Sequence, residues 1–404
     1  MIDKKEHLSM QSDEDTVTPK TITHYSGLSG NEMYCAHLLG YTPGDLLVGN
    51  SVFSMGLLGG IGSSFRTLVG GEITQYTDMI AEGRRLSLER FDAELAQTGG
   101  SAATGMTSEL VFHAGNIEFL TVGSTIHHED EKTRESFSTS ADGQELFCQW
   151  DAGYAPRGFV FGNVAYSIGL GRGIAGAFRQ LGRGEVTQYS DIFTTTRNLA
   201  LQRLQQEAKD KGANSVVGVR TSILPIGMSG VQEMVMIGTA SWHEALDDRE
   251  VGDIITSDLT AEETWSLAKL GYAPLKLVLG TSVYSLGLAG GIKAAFRNLK
   301  RGEIKELTEL IYGARERSLE KVKQQAEEVG ADDVLGIKTY IYDLGGGVIE
   351  FLAIGTAVKR LPGIATKSEQ LPPQAIIRDK DTFTDTANTA YGTDLQNPTR
   401  SRWN

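Results

Sequence analysis

The chain repeats itself three times, and that periodicity constrains its fold more than any other feature. Gly40-Tyr41-Thr42-Pro43 recurs as Gly153-Tyr154-Ala155-Pro156 and again as Gly271-Tyr272-Ala273-Pro274. The same two steps carry Gly49 onto Gly162 and Gly280, and Ser54 onto Ser167 and Ser285. Phe65-Arg66 maps onto Phe178-Arg179 and Phe296-Arg297, and Gly71-Glu72 onto Gly184-Glu185 and Gly302-Glu303. Arg84, Arg197 and Arg315 follow, then the glycine pairs 99/105, 212/218 and 330/336, and last Gly123, Gly238 and Gly355. A chain of 404 residues exceeds what one hydrophobic core usually supports. The repeat divides it into modules at 29–128, 142–243 and 260–359.

Each module reads as the same series of elements. Ser29-x-x-Glu32, Asp142-x-x-Glu145 and Thr260-x-x-Glu263 are capping boxes, in which cap and glutamate satisfy each other's backbone N–H. Glycine 40, 153 or 271 then ends a short helix. The runs 46–53, 159–166 and 277–284 predict strands, followed by a glycine-rich turn and a short helix around Phe65, Phe178 or Phe296. The longest helix opens at the Gly-Glu pair. In the third copy Ile304, Leu307, Ile311, Ala314, Val322, Ala326 and Val329 form an apolar stripe, and Gly330 stops it. Strands 334–342 and 348–358 complete the module. The expected fold is α+β: three tandem modules, each a mainly antiparallel sheet covered by one long helix. Residues 1–28 and 362–404 lack either period and are expected to be mostly disordered tails.

These motifs resemble those of the YbjQ family. The resemblance rests on the Phe-Arg pair, the Gly-Glu helix start and its internal arginine. It continues through Gly330-Ala331-Asp332-Asp333-Val334-Leu335-Gly336 and Gly355-Thr356-Ala357-Val358. Copy two follows with Gly212-Ala213-Asn214-Ser215-Val216-Val217-Gly218. Copy one departs further, with Gly99-Gly100-Ser101-Ala102-Ala103-Thr104-Gly105. The resemblance implies small α/β subunits that assemble into pentameric rings, and a family description of heavy-metal binding.

Composition narrows the function classes. The formal charge of −13 gives no electrostatic footprint for nucleic acid or anionic lipid. Residues 1–20 mix both charge signs, unlike a signal peptide. The uncharged stretch 46–65 has the length of a membrane helix, but glycines, serines and an asparagine dilute it, so no span is expected. Two cysteines make no disulfide framework and point to a reducing compartment, the cytoplasm.

A soft metal needs converging thiolates or imidazoles. None of the seven histidines recurs in all three copies, and no CxxC occurs. Cys35 and Cys148 do share one module position, where copy three has Ser266. His128-Glu129 and His243-Glu244 share another, where copy three has Arg360-Leu361. These six residues are the candidate metal ligands. The competing reading packs the cysteines as small apolar residues and places His-Glu in a polar linker. The glycine-rich turn, as in Gly169-Leu170-Gly171-Arg172-Gly173, fits close backbone packing better than phosphate binding, because dinucleotide spacing and a P-loop lysine are lacking. Arg66, Arg179 and Arg297 each precede Glu72, Glu185 and Glu303 by six residues and are expected to form ion pairs that brace a turn or reach a neighbouring module. Glu118, Glu233 and Glu350 also recur. No nucleophile–base set is shared, so no enzyme activity and no cofactor are expected.

The reading from sequence is a non-enzymatic, ring-forming homo-oligomeric scaffold or binding protein, with a further protein partner of unknown identity. A metal-ion binder using the Cys, His and Glu positions is the alternative. The modules would lie side by side as a covalent arc, or join separate pentamers stacked three deep, which the capped helices between modules favour as spacers.

Overall fold

The computed structural model describes residues 24–54, 71–113, 115–128, 136–167, 184–226, 231–246, 254–285, 305–345 and 348–371. The glycine-rich turns and the short helices expected near Phe65, Phe178 and Phe296 lie outside these residues.

The first module runs α1 (Gly30–Leu38), β1 (Tyr41–Ser54), β2 (Gly71–Glu72), α2 (Thr74–Thr98), β3 (Ala102–His113) and β4 (Asn116–His128). The second follows as β5 (Phe137–Ser138), α3 (Gly143–Asp151), β6 (Ala155–Ser167), β7 (Gly184–Glu185), α4 (Thr187–Asp210), β8 (Ser215–Ile226) and β9 (Val231–Trp242). The third has β10 (Ile255–Thr256), α5 (Ala261–Lys269), β11 (Tyr272–Ser285), α6 (Lys305–Glu328), β12 (Asp333–Gly345) and β13 (Val348–Arg360). The fold is α+β, in three repeated units. All three capping boxes form, each with both reciprocal bonds. The first long strand of each unit begins just past the glycine that follows the short helix, several residues earlier than its apolar run suggests, because Tyr41 and Tyr272 already pair with the module's last strand.

Each sheet is built on three long antiparallel strands, with the module's last strand in the middle: β1-β4-β3, β6-β9-β8 and β11-β13-β12. The long helix crosses this sheet at a glycine. A methyl group on Gly162 would overlap the Ala200 carbonyl and come within 2.5 Å of the Leu204 nitrogen. Gly49 and Gly280 meet the Ser87 and Ser318 carbonyls in the same way, so strand and helix touch backbone to backbone.

Neighbouring modules share their sheets. Strand β2 belongs to the first module by sequence but pairs with β6 of the second, Gly71 opposite Ser167 and Glu72 opposite Tyr166. Likewise β7 of the second pairs with β11 of the third. The connecting strands β5 and β10 lie parallel to β3 and β8 and lead directly into the next unit. The short helices stack as well, α1 on α3 and α3 on α5. The result is a continuous row of modules.

Two stretches outside the repeats are ordered by specific contacts. Leu46 donates to the Tyr25 carbonyl and Gly27 to the Ser124 hydroxyl, which fixes residues 24–28 beside β1. Residues 361–371, the start of the segment expected to be disordered, return to the second module. There Ser368 donates backbone and side-chain bonds to the Asp151 carboxylate, and Ile364 is buried. Among the described residues, no helix is long and apolar enough to cross a membrane. Residues 46–54 of the uncharged stretch are strand.

The apolar stripe of the third long helix is only partly covered. Ala314, Val322 and Ala326 are buried as expected, but Ile311 is 37% exposed. Its equivalents Ile80 and Phe193 are buried against the following module.

Candidate functional site

An arginine and a glutamate that recur in every copy meet at both junctions between modules. Arg84, on the third turn of α2, reaches out of its own module. Its Nε and Nη2 donate to both carboxylate oxygens of Glu233 on β9, at 3.2 and 2.8 Å. Its Nη1 donates to the carbonyl and hydroxyl of Ser108. Neither Arg84 nor Glu233 is exposed. One junction further on, Arg197 of α4 pairs with Glu350 of β13 and donates to the Thr281 hydroxyl at 2.8 Å. The Phe193 ring lies 5.6 Å from this guanidinium. Burying such pairs is tolerable only because each charge meets its opposite and further hydrogen bonds.

The surrounding apolar clusters cross the same junctions. Ile73, Tyr76 and Ile80 of the first module pack with Ala165, Ile226 and Val231 of the second. Met106 packs with Phe159 and Phe161. Hydroxyls fill the seam behind them: Thr139 and Ser140 of the connection lie 2.7 and 3.0 Å from the Thr239 hydroxyl. Thr356 donates to Asp258 at 2.6 Å one repeat later.

Glu72 and Glu185, expected from sequence to brace a turn or reach a neighbouring module, both bind the next module. Glu72 pairs with Arg203 at 2.7 Å, and Glu185 with Arg317 at 3.3 Å. Their proposed partners Arg66 and Arg179, and the whole Arg297–Glu303 pair, lie outside the described residues. The Arg84–Glu233 and Arg197–Glu350 partnerships were not read from sequence. The signal was present, since one arginine and one glutamate recur in every copy, but sequence spacing does not say that they pair between copies.

Of the candidate metal ligands, the two cysteines pack in an apolar cluster and His243 bonds to the backbone at a helix end. Cys35 and Cys148 are buried in one apolar cluster with Phe147, Ala152 and Trp265, where the short helices stack. Burial, reinforced by nearby carboxylates, pushes the Cys35 thiol up to about 11. The Cys148 thiol is pushed higher still, again chiefly by burial. A thiol so raised stays protonated at neutral pH and is a poor ligand. Ser266, at the same position in copy three, is exposed.

His243 lies across the glycine that ends α3. Its Nε2 donates to the Ala152 carbonyl at 3.1 Å, while Nδ1 accepts from the Ala245 N–H at 3.2 Å. Both ring nitrogens are thus engaged, and the imidazole is neutral. His128 occupies the same place beyond Gly40, edge-on to Tyr41. Glu244 is exposed in a single 3-10 turn, and Glu129 lies outside the described residues. Among the described residues no three His, Cys, Asp or Glu side chains gather into a metal site.

A cleft of about 250 Å³ opens between the second and third modules, lined by Arg220, Lys338, Asp258 and Glu145. Its cations are already paired, Arg220 with Glu145 and Lys338 with Asp258.

Comparison with known proteins returns the same threefold pattern. The sequence model of the YbjQ family, described as "Putative heavy-metal-binding", matches residues 42–126, 154–244 and 271–360, more than half of the chain. Encapsulin nanocompartment protein Rv1762c of Mycobacterium tuberculosis is 28% identical over 232 residues, covering 56% of this chain and 87% of that protein. A UPF0145 protein of Thermotoga maritima is 47% identical over 83 residues, 20% of this chain and 77% of that protein. One from Thermosipho melanesiensis is 43% identical over the same length, 20% of this chain and 76% of that protein. Matched three times over by one family model, the chain belongs to the YbjQ family.

Proposed function

We propose that this protein is a self-assembling scaffold, working through surfaces that join module to module and not through a catalytic centre. The observation that carries the reading is the repeated junction. The same helix arginine, strand glutamate and exchanged strand link module one to two and two to three. Among the described residues, Arg84, Arg197, Glu233 and Glu350, drawn from the arginine and glutamate common to all copies, are engaged in these contacts. The similarity to a protein named as an encapsulin nanocompartment component supports an assembly role. A ring is the natural product, because a head-to-tail contact closes whenever its rotation divides a full turn. Two unpaired, buried thiols suit the reducing cytoplasm. Native mass measurement on the full chain tests the proposal: assemblies of several chains are expected, and a monomer at micromolar concentration would overturn it.

A further inference from the structure

The row of modules has two ends, and each is an uncovered version of a surface that the chain buries twice. At the trailing end stands the third module. Its Arg315 occupies the place of Arg84 and Arg197, both fully buried on a glutamate of the following module. Arg315 itself is exposed and forms no ion pair among the described residues. Around it, Ile311 and Ile337 expose 37% and 46% of their surface, where Ile80, Phe193, Met106 and Val219 are buried.

At the leading end stands β1 of the first module. Val48 and Val52 are 47% and 58% exposed. Their equivalents Phe161 and Ala165, then Leu279 and Val283, are buried under the preceding module. On the neighbouring strand, Glu118 holds the place of Glu233 and Glu350, the acceptors of the buried arginines. Here its carboxylate is met by Asn50 at 3.1 Å and by the exposed His113 at 2.6 Å.

Isolated exposed apolar residues are ordinary, but these coincide position by position with an interface already formed twice in the same chain. From this we infer that the occupant of each end is a second copy of this chain. The third module of one copy docks on the first module of the next, with Arg315 inserted against the partner copy's Glu118, Ile311 and Ile337 against β1. The contact is heterologous, so every chain offers one donor end and one acceptor end. The inference rests on the scaffold reading and specifies its surface.

Charge reversal in the full chain tests it. Wild-type protein at micromolar concentration is expected to run as several chains by native mass spectrometry and sedimentation velocity. Glu118→Arg or Arg315→Glu alone should weaken association on the order of 100-fold or more, as loss of a desolvated charge pair does, and release chains of 43.7 kDa. Both residues are away from the single chain's core, so the far-UV circular dichroism of the variants should match wild type. The doubly reversed chain again presents opposite charges at every junction and should reassemble. Val52→Asp supplies an independent disruption at β1. A wild-type monomer would overturn both this inference and the scaffold reading. A wild-type oligomer that survives both single reversals and Val52→Asp would overturn this docking surface alone, as would a double variant no heavier than the singles.

Discussion

Arg84 and Glu233 stand 149 residues apart in the chain and share two hydrogen bonds, with neither side chain exposed to solvent. That pair joins the helix of one module to the sheet of the next, and the sequence spends the same two residue types again at Arg197 and Glu350. Removing one partner strands a buried charge, which costs about 3–5 kcal/mol. Arg84→Leu should lower the stability of the full chain by that amount in urea unfolding. Arg84→Met with Glu233→Leu should recover most of the loss, because no charge is then left unpaired. An unchanged midpoint for Arg84→Leu would deny the pair its role at the junction.

The backbone contact at Gly162 makes a second prediction. A methyl group there meets the Ala200 carbonyl and the Leu204 nitrogen, neither of which can rotate away. Gly162→Ala should therefore push α4 off β6 and cost about 1–3 kcal/mol or more. Gly30→Ala, at a helix position with open space around it, is the matched control and should cost nothing. Equal melting temperatures for the two variants would contradict the close approach.

Glu207 predicts a pH dependence. Its carboxylate accepts the Phe161 N–H at 2.9 Å, and burial pushes its pKa up to about 7. The folded pKa lies above the unfolded value of 4.5, so folding favours the protonated form. This contribution is present at low pH and is lost as pH rises through the interval from about 4.5 to 7. The third module places Gln325 at the equivalent contact, on Leu279. Glu207→Gln should match wild type near pH 4 and be more stable by about 2–3 kcal/mol at pH 8. A difference that does not grow with pH would contradict the burial of a costly charge.

Metal content is the fourth prediction. Protein purified without chelator should carry less than one zinc or copper per chain by elemental analysis, since the cysteine thiols are held protonated and both His243 nitrogens are engaged. Stoichiometric metal that disappears on Cys35→Ser plus Cys148→Ser would restore the metal-binding reading.

Much of the architecture was legible from sequence because the repeat supplied three readings of every element. The capping boxes and the amphipathic helix each carry a local physical reason, so they were readable within one module. The junctions were not. Ile311 sits on an apolar helical stripe like Phe193, and periodicity alone cannot tell that one is covered by a neighbour and the other is exposed. The change from Cys35 and Cys148 to Ser266 is a trace of the same fact, a polar residue at an exposed position in place of two buried thiols, but from sequence it reads as a missing ligand. Glu72 and Arg203 show the limit again, because strand exchange between modules has no signature in the spacing of a single repeat.

A module junction that continues from chain to chain must show in the mass of the purified chain in solution. Sedimentation equilibrium over a dilution series is predicted to give an integral multiple of 43.7 kDa at micromolar concentration, falling toward one chain only on strong dilution. A single species of 43.7 kDa at every concentration would contradict it.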